Sequence, residues 1–274
     1  MSTSHKVAAV QMASGPNVAA NLNEVRRLVE KAVKAGAELV VLPENFALMP
    51  MNEEQRLQSA EKFGDGPVQQ FVSAIAAEHG IWLVAGTIGI VAPGGKKVRA
   101  AALLYDDKGI CVARYDKIHL FDVELENGER YSESNVFDAG VEPVVVDTPF
   151  GRLGLAICYD LRFPELFRSM LDQGAELFAV PSAFTATTGR AHWEILVRAR
   201  AVENLAYLIA ADQGGYHVSG RETHGDTMIV GPWGEIMDRL SRGSGVVVGD
   251  IDIGRLQAVR RSLPSIRHRK SHLR

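Results

Sequence analysis

The chain has 274 residues, 46% of them hydrophobic and 23% charged, with a formal net charge of −3 at pH 7. That composition builds a sizeable core and excludes disorder, a collagen-like fibre and a strong polyelectrolyte. Apolar runs such as Leu39–Leu42 and Val246–Val248 fall far short of the roughly 20 residues that cross a bilayer, so the expectation is one domain over residues 1–274 with no membrane partner.

Lys6 to Met12 reads as a buried strand, entered without the charged, apolar and small-residue pattern of a signal peptide; this points to a cytoplasmic protein. Leu22, Val25, Val29 and Ala32 then repeat at helical spacing, and Gly36 stops that helix. Leu39 to Leu42 has the continuous apolar character of a strand covered on both faces, and Pro43 ends it, so Glu44 sits just past a central strand. Val68, Phe71, Val72 and Ile75 mark a second helix. Strands follow over Ile81 to Val91, Ala100 to Tyr105 and Ile110 to Tyr115, with Lys117 at the end of the last.

After a polar loop from Glu124 to Gly140, strands near Val144 to Val146 and Leu153 to Ile157 deliver Cys158. Pro164 opens a helix that Gly174 closes. Gly174-Ala175-Glu176-Leu177 repeats Gly36-Ala37-Glu38-Leu39 at an offset of 138 residues, each following an amphipathic helix and each leading through three apolar residues to a proline. The repeat predicts two pseudo-symmetric αβ halves, with two sheets covered by helices. A helix over Trp193 to Leu205, a strand over Tyr207 to Ala211, a hairpin about Pro232-Trp233-Gly234 and a strand over Gly245 to Ile251 complete the series. The last 20 residues, 255–274, hold seven Lys or Arg and no acid, leaving −10 on the rest. Apolar residues interleave with these charges and no nucleic-acid module precedes them, so a basic C-terminal arm packed on the acidic body or on a partner subunit is expected, with no nucleic-acid partner.

Glu44, Lys117 and Cys158 are three reactive side chains at strand ends, where sites gather in open α/β sheets. A thiol that attacks an amide needs a base to take its proton and fixed positive charge or N–H donors for the developing oxyanion. A carboxylate, an ammonium and a thiol supply both. With only two cysteines, Cys111 and Cys158, a disulfide scaffold is excluded, and Cys111 in its apolar alternating stretch reads as core.

Leu42-Pro43-Glu44, Asp116-Lys117-Ile118-His119-Leu120-Phe121-Asp122 and Cys158-Tyr159-Asp160-Leu161-Arg162-Phe163-Pro164-Glu165 resemble, in order, the three signature regions of the nitrilase superfamily of carbon–nitrogen hydrolases. The resemblance runs from Val7 to Lys270. It implies a four-layer αββα sandwich and a Glu-Lys-Cys triad of Glu44, Lys117 and Cys158. It further implies Glu133 as a second glutamate orienting the lysine, although Glu124, Glu126 and Glu129 share its loop, and the Tyr159 backbone N–H as an oxyanion donor. It implies no metal or organic cofactor and a homodimer or larger assembly. The Cys-Tyr-Asp-Leu-Arg-Phe segment is similar to the branch containing deaminated-glutathione amidase and omega-amidase, and Ser182, Thr188-Gly189 and Ser262-Leu263-Pro264 are closer to the former. The implied reaction is hydrolysis of the primary amide of a small 2-oxoacid amide through a cysteine thioester, with 2-oxoglutaramate the alternative substrate. A catalytically idle oligomeric scaffold on this fold would be expected to have lost a triad member.

A carboxylate-bearing substrate calls for a guanidinium, and Arg162, Arg190, Arg198 and Arg221 are candidates, with Arg162 and Arg198 reading as structural. Arg190 is expected at the site, with Arg221 still a candidate and with Phe46, Phe184 and Thr185 lining the pocket. The eight histidines include no His-Glu-x-x-His, and no Cys-x-x-Cys is present, so a metal centre is not expected.

Overall fold

The computed structural model describes residues 4–125 and 128–270. Two six-stranded sheets lie face to face. The first half of the chain lays down β1 (Ser4–Gln11), α1 (Val18–Lys34), β2 (Leu39–Val41), α2 (Glu53–Gln58), α3 (Pro67–His79), β3 (Trp82–Val91), β4 (Val98–Tyr105) and β5 (Cys111–Asp116). A small hairpin, β6 (Asp122–Glu124) and β7 (Arg130–Ser132), leads into β8 (Val144–Thr148), β9 (Gly151–Leu155), α4 (Pro164–Asp172), β10 (Leu177–Ser182), α5 (Ala186–Asn204) and β11 (Tyr207–Asp212). A second hairpin, β12 (Gly214–Tyr216) and β13 (Glu222–His224), precedes β14 (Thr227–Val230), β15 (Ile236–Leu240), β16 (Gly245–Asp252) and α6 (Ile253–Ser262).

The sheets run in the orders β16-β1-β2-β3-β4-β5 and β15-β14-β11-β10-β9-β8. Each has three central parallel strands, β1-β2-β3 and β9-β10-β11, flanked by antiparallel ones. The predicted pseudo-symmetry is thus a property of the topology, with β1, β2 and β3 standing to the first sheet as β9, β10 and β11 stand to the second. The repeated tetrapeptide has a mechanical explanation. Gly36 and Gly174 both adopt φ of 90°, the left-handed turn that ends a helix at little cost only with glycine. In both copies the next residue, Ala37 or Ala175, donates back to the helix, to Ala32 and Met170. The glutamate after it donates to the first parallel strand, Glu38 to Lys6 and Glu176 to Arg152, both at 2.8 Å.

Strand alternation then builds four layers. Val7, Ala9, Leu39 and Val41 face the second sheet, whereas Ala8, Val10, Val40 and Leu42 face α1 and α3. The far side of the second sheet is covered by α4 and α5 through Phe167, Met170, Trp193 and Val197. The chain has the αββα arrangement expected of it.

Several elements depart from the sequence reading. α5 begins at Ala186 rather than Trp193, because Thr185 caps it by accepting the Thr188 N–H at 3.2 Å. The 124–140 loop contains the β7 strand and a 3₁₀ turn at Glu133–Asn135. The basic C-terminal segment packs on the chain's own body as far as it is described: Leu256 is fully buried, and the Arg260 guanidinium donates to the carbonyls of Leu205 and Ala175 at 2.9 Å. Residues 271–274 of the expected arm lie outside the described residues.

One contact fixes the site directly. At Gly86, φ is 22° and an added Cβ would stand 2.0 Å from the Pro43 carbonyl oxygen, which lets β3 press against the turn that carries Glu44. Gly86→Ala is expected to cost about 1–3 kcal/mol and to reduce turnover by displacing Glu44; thermal unfolding and a turnover assay on the same sample check both.

Candidate active site

Three strand ends and one loop converge at the rims of the two sheets. Glu44 follows β2, and its turn is tied on both sides: the Asn45 N–H donates to Thr87 Oγ1 at 2.8 Å, and Gln213 Nε2 donates to the Glu44 carbonyl at 3.0 Å. Lys117 follows β5, with its N–H donating to the Ala100 carbonyl at 2.9 Å. Its ammonium is 1% exposed and bridges two carboxylates, with Glu44 Oε1 at 2.9 Å and Glu133 at 2.9 and 3.1 Å. Glu133 Oε2 also accepts the Phe121 N–H at 2.8 Å. Its loop neighbours are engaged elsewhere: Glu124 pairs with Arg130, and Glu129 accepts from Tyr131 and Thr187. Glu126 lies outside the described residues.

Cys158 occupies the first position of a 3₁₀ turn, Cys158–Arg162, with φ of 47°. A left-handed non-glycine residue carries strain that its surroundings must hold, and Asp160 holds it. Its fully buried carboxylate accepts the Ile157 N–H at 2.8 Å, the Tyr115 hydroxyl at 2.7 Å and the His119 ring at 2.6 Å. Two of the signature segments are therefore one structural knot, in which Asp160 of the nucleophile turn clasps the strand end that carries Lys117. Tyr159 N–H lies in the first turn of this short helix, where amides have no intrahelical acceptor.

The charges set the protonation of these groups. Burial acts against the Lys117 ammonium, but Glu133 and Glu44 outweigh it and hold its pKa above the usual lysine value. Burial also opposes ionisation of Glu133, and Lys117 reverses this so that the carboxyl is held below its usual range. Burial pushes the Cys158 thiol well up and the Glu44 carboxylate adds to this, against the opposing pull of Lys117 and a hydrogen bond from the Ala183 N–H. On balance these influences favour the thiol form of Cys158 over the thiolate. Accordingly, the thiolate absorbance of the protein minus that of Cys158→Ala should show no transition below pH 9.0, the ordinary thiol value; a transition near neutrality would mean a preformed thiolate.

Glu44, Lys117, Glu133, Cys158, Tyr159, Phe184 and Thr185 all border one cavity of about 220 Å³. Two expected lining residues do not. Phe46 is fully buried in the core beneath α1 and α3, its carbonyl accepting from Ser14 Oγ at 2.9 Å. Arg190 opens onto a separate cavity with His192 and His224. The early start of α5 explains the second: Thr188 faces the catalytic cavity, and two residues on, about 200° round the helix, Arg190 faces away. Ser182 is fully buried and donates to the Val180 carbonyl, so it does not line the cavity. Arg198 is bound to Glu194 and the Gly234 carbonyl.

Sequence reading missed Arg56, which enters the cavity from α2, and Asp212 at the end of β11. Asp212 is fully buried; Oδ1 accepts the Phe184 N–H at 2.9 Å, and Oδ2 has no partner among the described residues. Burial pushes its carboxyl well above the usual range against that hydrogen bond, and the Glu44 charge pushes further. Burial thus favours its neutral form, and the carboxyl anchors the Phe184 loop by accepting the Phe184 N–H. Only its position at a strand end beside Gln213 signalled it.

A buried carboxylate, ammonium and thiol on one cavity wall is the equipment of thiol-based acyl transfer. The profile of the carbon–nitrogen hydrolase family matches residues 6–261. This chain belongs to the carbon–nitrogen hydrolases. The hydrolase is 43% identical to the deaminated glutathione amidase of Synechocystis over 266 residues, covering 96% of this chain and 97% of that protein. It is 41% identical to the Mus musculus deaminated glutathione amidase over 272 residues, covering 97% and 84%. The crystal structure of the Caenorhabditis elegans NitFhit protein superposes with a TM-score of 0.93 at 38% identity, over 100% of this chain and 67% of that one. The hydrolase shares the nitrilase-superfamily fold, and these relatives support an amidase function.

Proposed function

We propose that this hydrolase cleaves the primary amide of deaminated glutathione, releasing ammonia and the corresponding acid. The observation that carries the reading is the buried Glu44–Lys117–Glu133 chain beside Cys158; the names of its full-length relatives supply the substrate.

In this reading the Glu44 carboxylate takes the Cys158 proton as the sulfur attacks the amide carbon. The carbonyl oxygen becomes an oxyanion, stabilised by the Lys117 ammonium and the Tyr159 N–H. Collapse breaks the C–N bond, with the Glu44 proton leaving on ammonia, and a thioester remains on Cys158. Water, deprotonated by Glu44, attacks the thioester and expels the thiolate, which takes the proton back. Lys117 stays charged throughout and Glu133 keeps it so. Besides the chain and its amide substrate, the steps consume one water.

The test is ammonia release from purified protein given deaminated glutathione or 2-oxoglutaramate separately, with Cys158→Ala as control. Preference for the first is expected. Preference for the second replaces the substrate with that of an omega-amidase, and silence on both removes the 2-oxoacid amides.

The reading includes a homodimer or larger assembly. α5 turns Ile195 and Val202, seven residues apart on one face, toward solvent at 69% and 45% exposure, and Trp233 nearby is 60% exposed. Apolar side chains grouped in this way mark an interaction surface. Light scattering that gives a monomer overturns it.

A further inference from the structure

Arginines on this protein are mostly paired, but three of the four that border the catalytic cavity are not. Arg130, at the rim, pairs with Glu124 at 2.8 Å. By contrast Arg56, Arg162 and Arg221 border the same cavity and form no ion pair among the described residues. Arg162 is otherwise occupied, lying over the rings of Tyr159 and Phe184 and bonding His192 at 3.2 Å.

Arg56 and Arg221 are different. Arg56 makes one side-chain hydrogen bond, from Nη1 to Asn45 Oδ1 at 2.9 Å, and lies 4.9 Å from the Phe137 ring centroid. Arg221 donates from Nη2 to the Ala183 carbonyl at 2.8 Å and lies 5.4 Å from the Tyr131 ring centroid, while its buried Nε has no partner. An unpartnered buried N–H costs stability unless a ligand satisfies it. Burial lowers the Arg56 pKa, the Glu133 and Glu44 charges oppose this, and the Arg221 charge adds to it, so the two guanidinia sense each other across the cavity. Two cations bordering one partly buried cavity, with donors to spare and neither in an ion pair among the described residues, form a site that can take an anion. Their anchors matter as well: Asn45 follows Glu44, and the Ala183 N–H bonds the Cys158 sulfur. A ligand held by both arginines is therefore held against both catalytic loops.

We propose that Arg56 and Arg221 form a carboxylate clamp that selects amides carrying a carboxylate apart from the scissile amide, one guanidinium reaching that carboxylate from α2 and the other from the β12–β13 connection. The inference rests on the amidase reading of this cavity for its substrate, but the clamp can be tested without turnover. Calorimetry of Cys158→Ala protein with 2-oxoglutarate reads anion binding alone. Adding Arg221→Gln, and separately Arg56→Gln, should raise Kd at least about tenfold, and Arg221→Lys should recover part of the loss. In the protein with its thiol, the ratio of kcat/KM for 2-oxoglutaramate to that for neutral butyramide should fall at least about tenfold in each Gln variant. A variant that unfolds early in a thermal scan is set aside, and the other carries the test. Absence of 2-oxoglutarate binding, or equal Kd values and an equal kcat/KM ratio with and without the substitutions, overturns the clamp. Failure of the thiol-bearing protein to release ammonia from any amide, with 2-oxoglutarate still bound through these arginines, overturns the amidase reading and leaves the clamp standing.

Discussion

Glu44→Gln should lower kcat/KM for the amide by about 10³–10⁴-fold at neutral pH while leaving Cys158 at least as reactive toward a small alkylating agent as it is in the parent protein. The two halves of this result follow from different properties of one side chain. Gln keeps the shape of Glu and an oxygen that can accept from Lys117 Nζ, now 2.9 Å from Glu44 Oε1, so the turn after β2 is expected to keep its place. It cannot take the thiol proton or return it to ammonia. Yet the Glu44 charge is one of the groups that hold the Cys158 pKa up, while Lys117 pulls it down. Removing the carboxylate takes away one of the influences that oppose the lysine at the sulfur, so the thiolate becomes easier to form as turnover collapses. Damage to the fold would slow both reactions together. Iodoacetamide labelling of Cys158 beside an ammonia assay separates these cases, with Cys158→Ala as the zero of both; a variant that retains turnover refutes the base assignment.

Lys117→Gln should cost both activity and stability. Lys117 is 1% exposed and Glu44 5% exposed, and removing one partner of a buried pair typically costs about 3–5 kcal/mol because the other charge is left without compensation. Here a single cation serves two carboxylates, so the loss should fall at the upper end of that range. Turnover should fall by about 10²–10³-fold or more, the usual effect of losing an oxyanion donor. The pH dependence distinguishes this cause from a packing defect. In the parent protein Glu133 is held below its usual range, so its contribution to stability is present above the unfolded-state value and is lost as pH falls through the folded one. Without Lys117 the carboxylates take up protons more readily, and protonation relieves their repulsion. The stability gap between parent and variant should therefore be widest at neutral pH and narrow toward pH 4.5, the reference value for glutamate. A gap constant with pH in denaturant titrations would mean that Lys117 matters for packing alone.

The features legible in the sequence were those written locally. A glycine-ended helix followed by a short apolar run and a proline specifies its own stop, strand and strand end, and this happens twice, at Gly36 and Gly174, so the strand ends bearing Glu44 and Ser182 are placed by inspection. Lys117 and Cys158 are legible by a simpler sign, each lying just past a strand-like run, Ile110 to Tyr115 and Leu153 to Ile157. The errors arose where a distant contact decides the outcome. Arg190 was placed at the site because the Thr185 cap was not recognised, and a helix begun seven residues late puts every side chain in that stretch on an undefined face. Phe46 lies next to Glu44 in sequence but follows a left-handed Asn45, φ 58°, which reverses the chain into the core. Arg56 carried no signal, since an arginine on a short polar helix reads as solvated until Asn45 and Phe137 are seen beside it.

The pairing of β1 with β16, which joins Ser4 to Asp252 and Gln11 to Gly245, bears on how the protein is made. As the chain leaves the ribosome, β1 gains β2 as a neighbour early, but its other edge stays open until residues 245–252 have been synthesised. Across that interval an apolar strand presents unpaired amides and carbonyls, the kind of edge that invites pairing with another chain. The sheet that carries Glu44 and Lys117 cannot be completed until β16 has been made, and contacts this distant in sequence form slowly. Catalytic competence therefore arrives late, after translation of β16, and a chain cut short before that strand would keep all of its reactive residues with a sheet open along one side.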